Sequence, residues 1–177
     1  SMIGLHQINN AVTAIEACRY LRDEKKFDIS ENNIKESLEN SKVMARVQYI
    51  EGNPSVIVDG GHNPSGITML SYELHYVKHI LHKKIFTVIG MIDSKDYRQG
   101  AEIISKYSEK IFCVDGFAEN CVNPEVLVGI ASKYTDALSC NLEDAVKNAR
   151  NLAIENNDIV LICGSLYLAS SYLNNFE

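Results

Sequence analysis

The sequence predicts an α/β fold: a mostly parallel sheet with helices on both faces, an antiparallel hairpin strand at its start, and two helices ahead of it. Three observations carry this reading. Short, almost wholly apolar segments (IFTVI, IFCV, IVLIC) alternate with longer segments of helical period, as parallel strands buried on both faces and joined by helices do. Before them, RVQYI and SVIV flank Glu51-Gly52-Asn53-Pro54, a turn-forming tetrad that suits a hairpin with an extended loop. The first 40 residues carry helical spacing with no strand among them.

Taken in order, INNAVTAIEACRYL (8–21) sets Ile8, Val12, Ile15 and Cys18 or Arg19 at helical intervals with alanines between, so this helix packs closely on something. Ser30 caps a short acidic helix from Glu31 to Glu39. The hairpin follows, then a helix over 66–81 whose first turn opens at Pro64-Ser65. A strand (84–90), a helix (97–107) and a strand (110–115) come next. Two helices, 123–134 and 142–154, then stand in succession with no strand assigned between them. A strand (158–164) and a helix (165–176) close the chain, and the whole is a Rossmann-like arrangement. The expected boundary separates a helical segment, 1–40, from an α/β domain, 41–177.

The composition narrows the partners. A formal charge of -6 without a basic stripe argues against nucleic acid. No apolar run approaches the ~20 residues of a membrane span. The N-terminus lacks a basic region followed by an apolar one, so no signal peptide is expected. Five cysteines, at 18, 113, 121, 140 and 163, show no CxxC spacing and read mainly as small core side chains. The expectation is a reduced, cytoplasmic protein.

Ligands of open α/β sheets bind beyond the carboxyl ends of the strands, and three polar seams fall there: 59–66, 90–96 and Gly164-Ser165. In the first, Gly60 and Gly61 permit a tight turn, and the helix beginning at Pro64 offers free amides to an anion. Asp59 and His62 can hold a ribose or a divalent ion, or orient a phosphate; alternatively, Asp59 caps the loop amides of a polar turn. In the second, Lys95 meets an anionic substrate, or Asp96 caps a helix beside a solvated lysine. Ser165 caps the last helix. The pattern GxxxxGK[ST] is absent, so nothing obvious cradles nucleotide phosphates. His75, His79 and His82 share a helical face without a fourth donor at motif spacing, Cys163 has no assigned base, and Ser165 lacks the GxSxG elbow.

The hexad Asp59-Gly60-Gly61-His62-Asn63-Pro64 resembles the D-G-A-H-N-P signature of the C-terminal part of folylpolyglutamate synthase/dihydrofolate synthase, a branch of the Mur ligase superfamily, with Gly61 in the alanine's place. Gly4-Leu5-His6-Gln7-Ile8-Asn9-Asn10-Ala11 looks like G-x-H-Q-x-x-N-A, and Ala45-Arg46-Val47-Gln48 stands where G-R-L-E is usual. Ser94-Lys95-Asp96 matches D-K-D in part, and Gly164-Ser165-Leu166-Tyr167-Leu168 matches G-S-L-Y-L. Peptidoglycan-precursor ligases usually show D-Y-x-H, which favours the folate branch. The sequence departs from the pattern at Ala45 and Gln48, and no arginine occurs between Arg98 and Arg150, where many relatives have one.

The resemblance implies an enzyme that uses ATP and magnesium to phosphorylate a carboxylate of dihydropteroate or a folate, after which the amine of L-glutamate attacks the acyl phosphate. It implies that 1–40 is the tail of a central ATPase domain, that 41–177 is the C-terminal domain, and that the P-loop and most magnesium ligands lie in earlier domains of the same chain. By the same pattern Asn10 contacts adenine and Arg46 reaches the nucleotide phosphates. Asp59 and His62 close on the nucleotide, and Lys95 and Ser165 serve the glutamate side or the loops. Taken alone, the 177 residues are expected to be inactive. The alternatives are another ligase of the superfamily acting on a cell-wall precursor, and a non-catalytic binding module.

Overall fold

The computed structural model describes residues 5–41, 44–93 and 96–177. The chain divides into two compact units between Met44 and Ala45. The first holds helices α1 (Leu5–Lys25) and α2 (Glu31–Asn40). Ser30 and Asn33 form a reciprocal cap: Asn33 N–H donates to Ser30 Oγ and Ser30 N–H to Asn33 Oδ1, each at 3.0 Å. Arg19 and Arg22 both reach Glu31, at 3.3 and 2.8 Å, as solvent-screened surface pairs that add little to stability. On α1, Ile8 and Val12 are 60% and 52% exposed.

The second unit is a six-stranded sheet in the order β1-β2-β6-β3-β4-β5. Its strands are β1 (Gln48–Ile50), β2 (Ser55–Asp59), β3 (Ile85–Ile89), β4 (Lys110–Cys113), β5 (Asp136–Ser139) and β6 (Ile159–Cys163). Only β1 runs antiparallel, pairing Gln48 with Val58; the remaining ladders are parallel. The last strand in sequence, β6, lies in the middle, with Cys163 level with Asp59 on one side and Ile89 on the other. Every residue of β2, β3 and β6 is buried, which is why their sequences are mostly apolar without alternation, with Ser55, Asp59 and Thr87 the buried polar residues among them.

Alternate strand residues feed two cores. Ile57, Ile85, Ile89 and Leu161 pack with Leu70 and Leu74 of α3 (Pro64–His79), Ile104 of α4 (Tyr97–Ser105) and Leu127 of α5 (Pro124–Ala131). Val56, Val58, Val88 and Ile162 pack with Ala145, Ala149 and Ala153 of α6 (Leu142–Ile154) and Leu168 and Tyr172 of α7 (Leu166–Asn175). The alanine stripe lets α6 lie close against the sheet. Each of these helices starts beyond the carboxyl end of a strand with a polar side chain on its first free amides: Asn63, Asp96, Asn123, Asn141 and Ser165.

Two expectations are corrected. Strand β5 occupies Asp136–Ser139, between the two helices read as consecutive. Its four residues DALS are exposed or half-buried at the sheet edge, so only Ala137 and Leu138 are apolar, too short a signal to mark a strand, and pairing to β4 makes them one. Arg46 and Val47, read as the start of the hairpin, precede β1. Ala45 and Val47 both take positive φ, 55° and 48°, which no strand contains.

Candidate functional site

From β2 the chain passes to α3 on one face of the sheet, and from β6 to α7 on the other. Since β2 and β6 are neighbours, the connections part and leave a crevice at their carboxyl ends, the topological switch point where open α/β sheets hold ligands. The same parting occurs between β6 and β3. The beginnings of the three polar seams are thereby adjacent. Gly90 N–H donates to the Cys163 carbonyl at 3.2 Å. Gly164 has φ +103°, and a Cβ there would stand 2.7 Å from the Gly90 carbonyl oxygen. At Gly60 a Cβ would come within 2.2 Å of Leu166 Cδ2. Glycine at 164 lets that turn approach the Gly90 main chain, and glycine at 60 leaves room for the Leu166 side chain.

Asp59, 4% exposed, ties the β2–α3 turn to the bend at Ala45–Val47. Its Oδ1 accepts the Gly61 N–H at 2.7 Å, and its Oδ2 accepts the Val47 N–H at 2.8 Å. Gly60 N–H donates to the Ala45 carbonyl at 2.7 Å, and Ala45 N–H donates to Gln48 Oε1 at 3.1 Å. Arg46 therefore stands exposed between two buried residues, Ala45 packed in the α6–α7 core and Val47 in the α3–α5 core. Positive φ at these two residues costs about 1–3 kcal/mol each. Burying the valine side chain returns about 1.5–3 kcal/mol, and each hydrogen bond about 0.5–1.5 kcal/mol, or about twice that to a carboxylate. The tethers are therefore of the size needed to hold the bend.

His62, half-buried, sits on the β2–α3 turn with its Nδ1 3.0 Å from the Gly60 carbonyl oxygen. A carbonyl can only accept, so Nδ1 carries the hydrogen, and in the neutral ring Nε2 is the lone-pair nitrogen. Asn63 accepts the Gly66 N–H at 2.8 Å and starts α3. Ser165, 1% exposed, accepts the Tyr167 N–H at 3.1 Å as the cap of α7. Asp96 caps α4 through Gln99. Lys95 lies outside the described residues. Asn10 belongs to the first unit, where its side-chain amide donates to Gln7 Oε1 at 3.2 Å. Arg46, Asp59 and His62 thus share one pair of tethered turns, with Ser165 on the neighbouring strand's turn.

Among the described residues, no group of three or more His, Cys, Asp or Glu is placed to hold a metal ion. The His75 and His79 rings stand 4.5 Å apart on α3 without a third donor beside them. Cys163 is fully buried; burial first, then the charge of Asp59, push its thiol well above the usual range, so it stays protonated. Among the described residues, no helix is long and apolar enough to cross a membrane.

The residue that sequence reasoning missed is Gln48, noted only as a departure from a glutamate. Its spacing held a signal: a side-chain carbonyl three residues after Ala45 can reach back to that residue's amide, as in a reciprocal helix cap.

The family described as "Mur ligase, glutamate ligase domain" matches residues 45–166, and the chain belongs to this family. Within it, the chain is similar along most of its length to folylpolyglutamate synthases and dihydrofolate synthases. The chain is 28% identical over 174 residues to the folylpolyglutamate synthase of Lacticaseibacillus casei, covering 96% of this chain and 38% of that protein. It is 29% identical over 183 residues to the dihydrofolate synthase/folylpolyglutamate synthase of Haemophilus influenzae, covering 92% and 41%. The fold matches Mycobacterium tuberculosis folylpolyglutamate synthase complexed with ADP at TM-score 0.81, with 17% identity over 98% of this chain and 40% of that one. It matches E. coli FolC in complex with DHPP and ADP at 0.79, with 22% identity over 93% and 38%. The chain spans about two fifths of the length of the curated relatives it matches.

Proposed function

We propose that this chain is the C-terminal part of an ATP-dependent amide ligase that adds L-glutamate to dihydropteroate or to a (tetrahydro)folate polyglutamate through an acyl phosphate. One observation carries this reading: Asp59 joins the Arg46 loop and the His62 turn at the sheet's switch point. The names of the relatives, and the ADP in two of the similar structures, support it.

In this reading the exposed guanidinium of Arg46 meets the nucleotide phosphates, where a permanent positive charge lowers the energy of charge developing on a transferring phosphoryl group. His62, its ring oriented by the Gly60 carbonyl, presents Nε2 to the nucleotide. Asp59 fixes both turns at the closing surface. Asn10 contacts adenine, and Lys95 and Ser165 serve the glutamate side. Closure of this domain on the rest of the parent chain excludes water from the acyl phosphate. Among the described residues no donor set fits magnesium by itself, and in this reading its ligands, like the P-loop, belong to the remaining domains of the parent protein.

The test is ADP release by the intact parent enzyme with ATP, magnesium, glutamate and one of three acceptors. Turnover with dihydropteroate or tetrahydrofolate is expected, and none from residues 1–177 alone. Turnover with a muramyl peptide instead would move the protein to the cell-wall branch. Ligand binding without turnover on any acceptor would favour a binding module.

A further inference from the structure

We propose that Gln48 is a positioning residue for Arg46, a role that rests on the reading of Arg46 given above. Arg46 is the exposed residue of a bend that neither neighbour favours: Ala45 at φ 55° and the β-branched Val47 at φ 48°. Such backbone persists only where the surroundings over-determine it. The tethers are distributed unevenly along the bend. On the Val47 side, the amide is held by Asp59 Oδ2 at 2.8 Å. On the Ala45 side, the carbonyl is held by Gly60 N–H at 2.7 Å, and the amide by Gln48 Oε1 at 3.1 Å.

Gln48 differs from the other two tethers in what it spans. Asp59 and Gly60 join the bend to the β2–α3 turn, whereas Gln48 closes the bend on itself, from the first residue of β1 back across Arg46. Its backbone is fixed by pairing with Val58 in the sheet, so the side chain acts from a rigid base. Gln48 thereby sets how far the Ala45 peptide can swing, and with it the direction in which the guanidinium leaves the bend. An acceptor at the side-chain terminus is what the role requires. Glutamate retains it, and methionine keeps the length and removes it.

The experiment is a double-mutant cycle in the intact parent enzyme, following kcat and the KM for ATP. Gln48→Met is expected to lower kcat about 10- to 100-fold, since displacing a catalytic group by about 1 Å costs on that order. Gln48→Glu is expected within about 3-fold of the unaltered enzyme. In an Arg46→Ala background, Gln48→Met is expected to add less than about 2-fold, because a residue acting through Arg46 has nothing left to position. Equal effects of Gln48→Met in both backgrounds would assign it a general structural role and overturn the proposal, as would full activity of Gln48→Met. If Arg46→Ala itself is fully active, the reading of Arg46 fails first and the positioning role falls with it. Should Gln48→Met not fold, hydrogen exchange at the Ala45 amide of the unaltered chain decides: protection supports the tether, and exchange at the rate of an open loop removes it.

Discussion

Val47 donates its backbone N–H to Asp59 Oδ2 at 2.8 Å, across 12 residues of sequence, while the other oxygen of the same carboxylate accepts Gly61 N–H at 2.7 Å. A carboxylate suits this position because both incoming groups are donors. An amide offers one carbonyl and one NH2, so either orientation sets a donor against a donor. Asp59→Asn is therefore expected to destabilise the α/β unit by about 2–3 kcal/mol. Urea denaturation of residues 1–177 checks this, and an unchanged midpoint would remove the carboxylate from the frame of the bend.

Ala45 meets opposing demands. Its positive φ costs about 1–2 kcal/mol that glycine would avoid. Glycine would forfeit about 0.8 kcal/mol of methyl burial and gain about 0.5–1 kcal/mol of unfolded-state freedom. Ala45→Gly is expected to be neutral within about 0.5 kcal/mol. By contrast, Ala149→Gly, at a fully buried helical position of α6, should cost about 1.5–2 kcal/mol. Equal losses at the two positions in thermal melts would contradict the left-handed assignment.

The glycines separate in the same manner. At Gly164 an added Cβ would lie 2.7 Å from the Gly90 carbonyl oxygen, with φ at +103°, and that nearest atom is backbone, which cannot swing aside as a side-chain end can. Gly164→Ala is expected to lose more than about 3 kcal/mol. Gly129 lies exposed in α5 with nothing within 4 Å of an added Cβ, so Gly129→Ala should gain about 0.5–1 kcal/mol. Denaturation midpoints moving in opposite directions would establish the difference.

Alkaline stability reports on both cores, through Tyr172 on the α6–α7 side and Cys113 on the α3–α5 side. The Tyr172 phenol is pushed up to about 12, by burial first and then by its hydrogen bond to Glu177, against the opposing pull of Arg150. The Cys113 thiol is likewise pushed up to about 12 by burial. In both, the folded state holds the proton more tightly than the unfolded state does. Their contribution is complete below the unfolded values, 9.0 for the thiol and 10.0 for the phenol, and is lost as pH rises through about 12. The urea midpoint should fall across that window. Tyr172→Phe should show a shallower fall from pH 10.0 to about 12, and an identical slope would exclude the phenol.

Much of the fold was legible because it rests on local signals strong enough to survive any context. IVLIC is apolar at every position, and IFTVI at all but Thr87, because both faces of β3 and β6 are covered. Ser30 and Ser165 cap the helices they were read to cap, and Asp96 takes the capping role that was one of its two readings, because a short polar side chain satisfies the free amides of whatever helix follows it. Strand β5 was not legible: DALS becomes a strand by lying against β4. Nor was the bend at Arg46, since RVQYI alternates as a strand should and nothing in it announces two positive φ angles.

The residues that bear on function divide in the same way. The sequence by itself determined the alternation of strand and helix, the glycine-rich turn after Val58, and which polar side chains stand near strand ends, since periodicity, capping and turn chemistry act over a few residues. Tertiary structure decided that β6 enters between β2 and β3, opening the crevice where their connections part. It also decided that Asp59 and Gln48 would hold Arg46 outward. The reason is physical: a strained bend lasts only when groups from separate segments arrive together to hold it, and that meeting exists only in the folded chain.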